Sequence, residues 1–264
     1  MDVKQVVKKR YGQIAQGRGG CCGAAPRGER LSAEKAARTV GYAAGDLDAV
    51  PEGANLGLGC GNPLALALVK PGDVVLDLGS GAGFDAFLAV PRVGPEGRVI
   101  GVDMTEEMIA QARANAERAG YTNVEFRLGE IESLPVEDSS VDLVISNCVL
   151  NLVPDKAQAF REIARVLKPG GRMVVSDIVR RGDLPAWLLE SADAYAACIG
   201  GASDQTEYLA LARAAGLAEV EVLSETDAVD LLTASTDCGC SLGEEAAEQL
   251  RGRVFSISVS ARKA

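Results

Sequence analysis

The stretch from Val74 to Asp85, VVLDLGSGAGFD, decides the fold. Its first residues are apolar and β-branched, which is typical of a strand buried on both faces. Three glycines then follow within five residues, Gly79, Gly81 and Gly83, and the apolar segment from Phe84 predicts the start of a helix. A glycine turn between a buried strand and a helix N-terminus is typical of a loop that binds a cofactor.

The spacing of these glycines narrows the choice of cofactor. A dinucleotide fingerprint has glycine at its first, third and sixth positions, but the sixth position here is Phe84. The third glycine comes one residue early, and the resulting GxGxG pattern, preceded by an aspartate, resembles the loop of Rossmann-like S-adenosylmethionine (SAM) methyltransferases. Taken alone, the loop also fits a tight strand–helix turn without a ligand. The residues predicted to hold the cofactor here are Asp77, Gly79, Ser80, Gly81 and Gly83.

Composition limits the class of protein and its partners. The 264 residues, 47% of them hydrophobic, suffice for one large α/β domain or one domain with an extension. A net charge of −10, from 27 basic and 37 acidic residues, argues against a nucleic-acid partner. No apolar run approaches the roughly 18 residues of a membrane span, and the N-terminal residues lack an apolar signal-peptide core. We therefore expect a cytoplasmic, monomeric protein with no membrane partner.

Strand and helix patterns alternate regularly after the glycine loop. Strands are predicted over 98–102, 124–128, 141–146 and 172–178, and helices over 84–90, 105–119 and 156–167. Such alternation predicts an α/β fold with a mostly parallel sheet, helices on both faces and a smaller C-terminal α+β segment. Together with the glycine loop, this arrangement resembles the Rossmann-like class I SAM methyltransferases. In the C-terminal segment, 218–223 and 254–261 alternate like strands that pair antiparallel at a sheet edge. The predicted division is 1–62, a helix and a mobile cysteine loop, 63–180, the SAM-binding domain, and 181–264, the C-terminal segment.

Polar residues at the predicted strand ends are candidates for ligand contacts, because ligands gather at the carboxyl ends of parallel strands. Asp103 ends the second strand 20 residues after Gly83, where its carboxylate can accept hydrogen bonds from ribose hydroxyls. Its alternative role, capping the next helix, falls to Thr105, a good N-cap residue. The other candidates at these strand ends are Met104, Gly129, Glu130, Ile131 and Asn147.

The chain contains no histidine and seven cysteines. The absence of histidine removes Ser-His-Asp and Cys-His catalysis, and without a CxxC pair a four-cysteine zinc site is disfavoured. Free cysteine is often a small buried hydrophobe, but Cys60 lies in a glycine loop and Cys148 at the ligand end of a strand. Thiolates select soft ions, and trivalent arsenic takes three sulfurs while keeping a lone pair. That lone pair could attack a sulfonium methyl without a general base.

Seven segments closely resemble the arsenite SAM methyltransferases: ANLGLGCGNP, VLDLGSGAGFD, VIGVDMTEEMI, NVEFRLGEIESLPV, ISNCVLNL, RVLKPGGRM and AACIGGA. The resemblance covers about residues 3–220 in order. It implies that Cys60, Cys148 and Cys198 are the arsenic ligands. It also implies that Cys21 or Cys22 is a fourth cysteine, used with glutathione- or dithiol-bound arsenite, which forms an intermediate disulfide with Cys60. Thioredoxin or glutathione would reduce that disulfide, and the products would be methylated arsenicals.

Two other functions remain open from the sequence. The first is an ordinary small-molecule C- or O-methyltransferase that shares the SAM loop. The second is a non-enzymatic, thiol-rich protein that binds a metalloid or zinc. Cys238 and Cys240 have no counterpart in the resemblance, so their role stays unassigned.

Overall fold

A seven-stranded sheet organises the chain in a computed structural model that describes residues 3–17, 33–185, 188, 198–229, 231 and 244–264. Its strands are β1 (Val74–Leu78), β2 (Arg98–Asp103), β3 (Val124–Leu128), β4 (Val141–Asn147), β5 (Leu167–Arg180), β6 (Leu217–Asp227) and β7 (Val254–Lys263). The strand order is β3-β2-β1-β4-β5-β7-β6. Neighbours among the first five strands are parallel, whereas β7 pairs antiparallel with both β5 and β6. This arrangement confirms the predicted fold class and the antiparallel edge.

Helices pack on both faces of the sheet. They are α1 (Val3–Ala15), α2 (Ala33–Thr39), α3 (Ala44–Asp48), α4 (Pro63–Leu66), α5 (Phe84–Val93), α6 (Glu106–Ala119), α7 (Lys156–Val166), α8 (Gln205–Ala214) and α9 (Glu244–Leu250). Successive strand residues point to opposite faces. Leu76 of β1 therefore joins the core with Phe160 of α7, while Val75 joins the core with Phe87 of α5. None of the described helices is long and apolar enough to cross a membrane.

Helix α5 starts at Phe84, as predicted, and runs through Pro91 to Val93, whereas one strand is longer than the sequence predicts. Strand β5 begins at Leu167, directly after α7 and before the predicted start at residue 172. The Lys168–Gly171 segment ends the helix, as expected, yet it continues as extended backbone with an irregular register against β4. Proline and glycine are compatible with such a bulge, which explains the longer strand.

Several predicted features lie outside the described residues. The sequence pattern over 184–199 predicts a helix, and the glycine-rich segment over 17–30 predicts a loop, but most of each lies outside the described residues. Four of the cysteines lie outside them as well: Cys21, Cys22, Cys238 and Cys240.

Candidate active site

A cavity of about 230 Å³ lies at the carboxyl ends of β1, β2 and β4. Every residue predicted to hold the cofactor lines this cavity except Gly83, and Cys60, Cys148 and Cys198 line it as well. Because parallel strands end at one edge, segments distant in sequence converge there. The structure thus brings the predicted cofactor residues and three of the cysteines around one space.

The glycine loop shapes the floor of this cavity. Gly79 has a left-handed backbone (φ 66°), and a Cβ at this position would lie 2.4 Å from Cγ2 of Val149. Gly83 also has a positive φ, of 97°, but a Cβ there would meet the ring of Phe87 at 2.6 Å rather than the cavity. Glycine is therefore required at Gly79 by the wall of the cavity and at Gly83 by helix packing.

Two polar atoms in this loop are buried without a hydrogen-bond partner among the described residues: Oδ2 of Asp77 and Oγ of Ser80. An unsatisfied buried polar group costs on the order of 1–3 kcal/mol. Burial and the nearby Asp85 raise the pKa of Asp77 well above its usual value. A ligand that presents an ammonium group to Asp77 would satisfy the orphaned oxygen and favour the ionised carboxylate. The amino-acid end of SAM carries such an ammonium group.

Asp103 is held by two backbone donors at the end of β2. Its Oδ2 accepts from the N–H of Gly81 at 3.0 Å, and its Oδ1 accepts from the N–H of Thr105 at 2.8 Å. Thr105 occupies the predicted N-cap position of α6, but its side chain makes no capping hydrogen bond to the helix. Burial raises the pKa of Asp103, and hydrogen bonds from the backbone and from the side chain of Thr105 oppose that rise. The Thr105 hydroxyl therefore supports Asp103, whose oxygens keep acceptor capacity for a ligand.

Glu130 and Ile131 line the cavity just after the end of β3. Ile131 is buried, as expected for an apolar contact. Oε2 of Glu130 accepts a hydrogen bond from Nζ of Lys4 at 2.6 Å, and Lys4 also pairs with Glu132 at 2.9 Å. Sequence reasoning missed Lys4, because nothing in an amphipathic helix pattern shows which surface its charged face will meet.

Helix α1 covers the cavity. Val7 and Tyr11 line it from above, and Lys8 pairs with Glu106 of α6 at 3.5 Å. Burial, together with the thiols of Cys198 and Cys148, raises the pKa of Tyr11 well above its usual value. Tyr11 therefore presents a neutral phenol to the same cavity that the cysteines line. Tyr11 was likewise not predicted.

The thiols of Cys60, Cys148 and Cys198 are neighbours. Sγ of Cys198 donates to the carbonyl oxygen of Cys148 at 3.0 Å. Hydrogen bonds with the thiols of Cys198 and Cys60, followed by burial, raise the pKa of the Cys148 thiol well above its usual value. Among the described residues, no group of three or more cysteine or acidic side chains is arranged to hold a metal ion. The three cysteines thus pack in one cluster without forming a closed ligand cage.

Two of these cysteines have a left-handed backbone. The φ angle is 62° at Cys148 and 66° at Cys198. This conformation costs a non-glycine residue roughly 1–2 kcal/mol because Cβ crowds the following carbonyl oxygen. A short bond from the N–H of Cys148 to the carbonyl of Ser176, 2.7 Å, holds the first of them in place. Such strain is tolerated where the side chain itself is needed.

The side chain of Asn147 holds the loop that carries Cys60. Its Oδ1 accepts from the N–H groups of Cys60 and Gly61, at 3.0 and 3.2 Å, and its Nδ2 donates to the carbonyl of Gly61 at 2.8 Å. A Cβ on Gly59 would come within 2.8 Å of this amide, and one on Gly61 within 2.6 Å of Oγ of Ser176. The sequence predicts Asn147 as a ligand contact at the end of its strand. It lines the cavity, but both ends of its amide are engaged by the Cys60 loop.

Tyr42 and Asp85 extend this network and were not predicted. The hydroxyl of Tyr42 donates to Oδ1 of Asp85 at 2.6 Å and accepts from Nδ2 of Asn147 at 3.0 Å. Burial raises the pKa of Asp85 to about 6, although the hydrogen bonds from Tyr42 and Asn147 oppose the rise. Asp85 lies two residues after Gly83, inside the stretch that decides the fold, so its position beside the glycine loop could have been predicted from the sequence. Tyr42 had no comparable signal.

Comparison with known proteins agrees with this geometry. Residues 69–216, more than half of the chain, match a methyltransferase domain family. Together with the sheet order, the glycine loop and the cavity at its edge, this match defines a SAM-dependent methyltransferase of the Rossmann-like class.

Three relatives refine the class. The arsenite methyltransferase of Halobacterium salinarum is 45% identical over 276 residues, 99% of this chain and 67% of the relative. That of Aquipseudomonas alcaligenes is 42% identical over 174 residues, 63% of this chain and 50% of the relative. The crystal structure of an arsenic(III) SAM methyltransferase from Chlamydomonas reinhardtii is 33% identical with a TM-score of 0.63, covering 87% of this chain and 74% of that one. The chain belongs to the arsenite methyltransferase family, and it spans between half and about two thirds of the two curated relatives.

Proposed function

We propose that this chain transfers the methyl group of SAM to thiolate-bound trivalent arsenic and so serves in arsenic detoxification. The observation that carries the proposal is the meeting of three thiols, from Cys60, Cys148 and Cys198, beside the cofactor cavity. An ordinary C- or O-methyltransferase has no need of three converging thiols. Thiolates are ligands that soft ions select.

The cavity residues would hold the cofactor as follows. Asp77 receives its ammonium group, Asp103 its ribose hydroxyls, and Glu130 with Ile131 its adenine. When bound, SAM supplies an electrophilic methyl group on a sulfonium sulfur. Gly79 and Gly81 contribute by leaving space, because neither brings a Cβ to the cavity.

The three cysteines would hold the acceptor. Arsenite, As(OH)₃, reacts with three thiols to give an arsenic tris-thiolate and three water molecules, so no net proton is released. The arsenic lone pair carries no proton, and the transfer therefore needs no general base. Cys60 and Cys198 are buried, which keeps water from the arsenic–sulfur bonds. The chain's contribution is to position and desolvate the acceptor.

A thiol reductant completes the cycle in this proposal. Methylation takes arsenic from the trivalent to the pentavalent state, and two thiolates return it to the trivalent state by giving up two electrons and forming a disulfide. Cys60 and one of Cys21 and Cys22 are the proposed disulfide pair. Thioredoxin or glutathione then reduces the disulfide to two thiols. The proposed setting is the cytoplasm, with the chain acting as a monomer.

The test is a turnover assay with arsenite, SAM and a thiol reductant. We expect methylated arsenicals and S-adenosylhomocysteine from the wild-type chain, and background turnover from Cys148→Ser, because a serine oxygen is a poor ligand for soft arsenic. The SAM affinity of Cys148→Ser, measured by calorimetry, should stay at the wild-type value and serves as the control.

Three outcomes would contradict the proposal. Full activity in Cys148→Ser would remove the thiol cluster from the mechanism. Tight arsenite binding by the wild type without any product would instead indicate sequestration. Methylation of carbon or oxygen acceptors, but not of arsenite, would indicate an ordinary small-molecule methyltransferase.

A further inference from the structure

A buried hydroxyl from β7 holds the peptide that carries Cys60. Ser256 is 8% exposed, and its Oγ donates to the carbonyl oxygen of Cys60 at 2.6 Å. The two residues are 196 positions apart in the chain. This contact therefore ties the antiparallel edge of the sheet to the cysteine cluster.

Ser256 and Asn147 bind opposite ends of the Cys60 backbone. Asn147 receives the N–H of Cys60, whereas Ser256 donates to its carbonyl oxygen. With both backbone polar groups bound to side chains on separate strands, the backbone of Cys60 has little freedom to rotate. The direction of the thiol then depends on its single χ1 rotation.

We propose that Ser256 is a positioning residue for Cys60, which fixes the Cys60 peptide so that its thiol meets those of Cys148 and Cys198 in one geometry. The proposal rests on the proposed function, since arsenic needs all three sulfurs at once. It adds β7 to an acceptor site otherwise built from the Cys60 loop, the end of β4 and the Cys198 turn.

Ser258 provides a matched control on the same strand. It lies two residues further along β7, on the same face, and is 5% exposed. Its hydroxyl bonds to Oγ of Ser176 at 2.9 Å, not to Cys60. Ser258→Ala therefore removes an equally buried hydroxyl from the same layer of the sheet.

The experiment compares Ser256→Ala, Ser256→Thr and Ser258→Ala in the full chain. Loss of one hydrogen bond should weaken arsenite binding in Ser256→Ala by roughly tenfold in calorimetry. X-ray absorption should show fewer than three sulfurs on the arsenic bound to Ser256→Ala. Ser256→Thr keeps the hydroxyl and should keep three sulfurs. Ser258→Ala should match the wild type, and the affinity for SAM should be unchanged in all three.

The inference is overturned if Ser256→Ala binds arsenic through three sulfurs with wild-type affinity, or if Ser258→Ala loses as much as Ser256→Ala. Should Ser256→Ala fail to fold, Ser256→Thr and its isostere Ser256→Val isolate the hydroxyl in the same way. Failure of the proposed function appears separately, as a wild-type chain that neither methylates arsenite nor binds it through three sulfurs.

Discussion

The cofactor loop and the cysteine cluster use the same unusual backbone for opposite reasons. Gly79 and Cys148 have nearly equal left-handed φ angles, 66° and 62°. At Gly79 any side chain would strike Val149, so the absence of Cβ is what the site needs. At Cys148 the Cβ is kept in spite of the strain, because it carries the sulfur. Backbone shape thus makes the glycine loop, whereas side-chain chemistry distinguishes the cysteine cluster.

The most direct test of this difference is Gly79→Ala. The new Cβ would lie 2.4 Å from Cγ2 of Val149, in a backbone conformation that already disfavours alanine. We expect the free energy of unfolding in urea to fall by at least about 3 kcal/mol, and SAM binding to be lost in calorimetry. Gly120→Ala is the control, because Gly120 has a left-handed backbone (φ 71°, ψ 22°) and a Cβ there would meet nothing within 4 Å. This change should cost only about 1 kcal/mol. Equal costs at the two positions would refute the steric argument.

The buried carboxyl group of Asp177, in β5, provides the next test. Burial raises the pKa of Asp177 to about 7, against the opposing effects of Lys156 and Tyr208. Because the folded state binds this proton more tightly than the unfolded state, stability should be lost as the pH rises from about 4 to 7. Between pH 5 and 7 the wild type should lose about 2 kcal/mol more than Asp177→Asn in urea unfolding. Parallel curves for the two proteins would contradict this assignment.

Replacing the Cys148 side chain should reverse the usual order of stability between an alanine and a glycine variant. Alanine normally stabilises a chain relative to glycine, but at a φ of 62° the alanine Cβ is strained. We expect Cys148→Gly to be more stable than Cys148→Ala by about 1 kcal/mol, measured by urea unfolding, while both lose methylation. A more stable Cys148→Ala would mean that the backbone at this position is not strained, and the contrast with Gly79 would fail.

The smallest expected effect concerns helix α1, which lines the cavity. Lys4 pairs with Glu130 and Glu132, but its side chain is 33% exposed, so these pairs should contribute about 0.5 kcal/mol. Lys4→Ala should raise the KM for SAM about two- to threefold at low salt, roughly the change that such a free energy allows. The difference should shrink at about 0.5 M salt. Lys9→Ala, at an exposed position of the same helix, should leave KM unchanged, and an equal effect would point to general charge instead.

Local patterns predicted the cofactor side of the molecule well. A buried strand, three glycines and an acidic residue at the next strand end are short-range signals, and each lies where the sequence placed it. Cys60 and Cys148 were also identifiable, because each stands beside a local signal, a glycine loop or a strand end. The position of the α6 cap was predicted too, but not that the Thr105 hydroxyl turns to Asp103 instead of to the helix.

The contacts that hold the Cys60 loop and Asn147 could not be predicted in this way. Ser256 contacts Cys60 across 196 positions, and Tyr42 contacts Asn147 across 105. A serine in an alternating strand and a tyrosine with no motif around it give no sign of a distant partner. Such contacts follow from the order of strands in the sheet, and the hydrophobic pattern of a single strand does not specify its neighbours.

The placement of β7 between β5 and β6 has a consequence for biosynthesis. The strands that form the cofactor edge are complete by residue 147, but the hydroxyl that fixes Cys60 is at position 256. A chain emerging from the ribosome can therefore form the contact between Asn147 and the N–H of Cys60 well before the Ser256 contact exists. During that interval the Cys60 peptide is held at its N–H only, so under the proposed function a thiol-reactive metalloid would meet the Cys60 thiol before the site is complete.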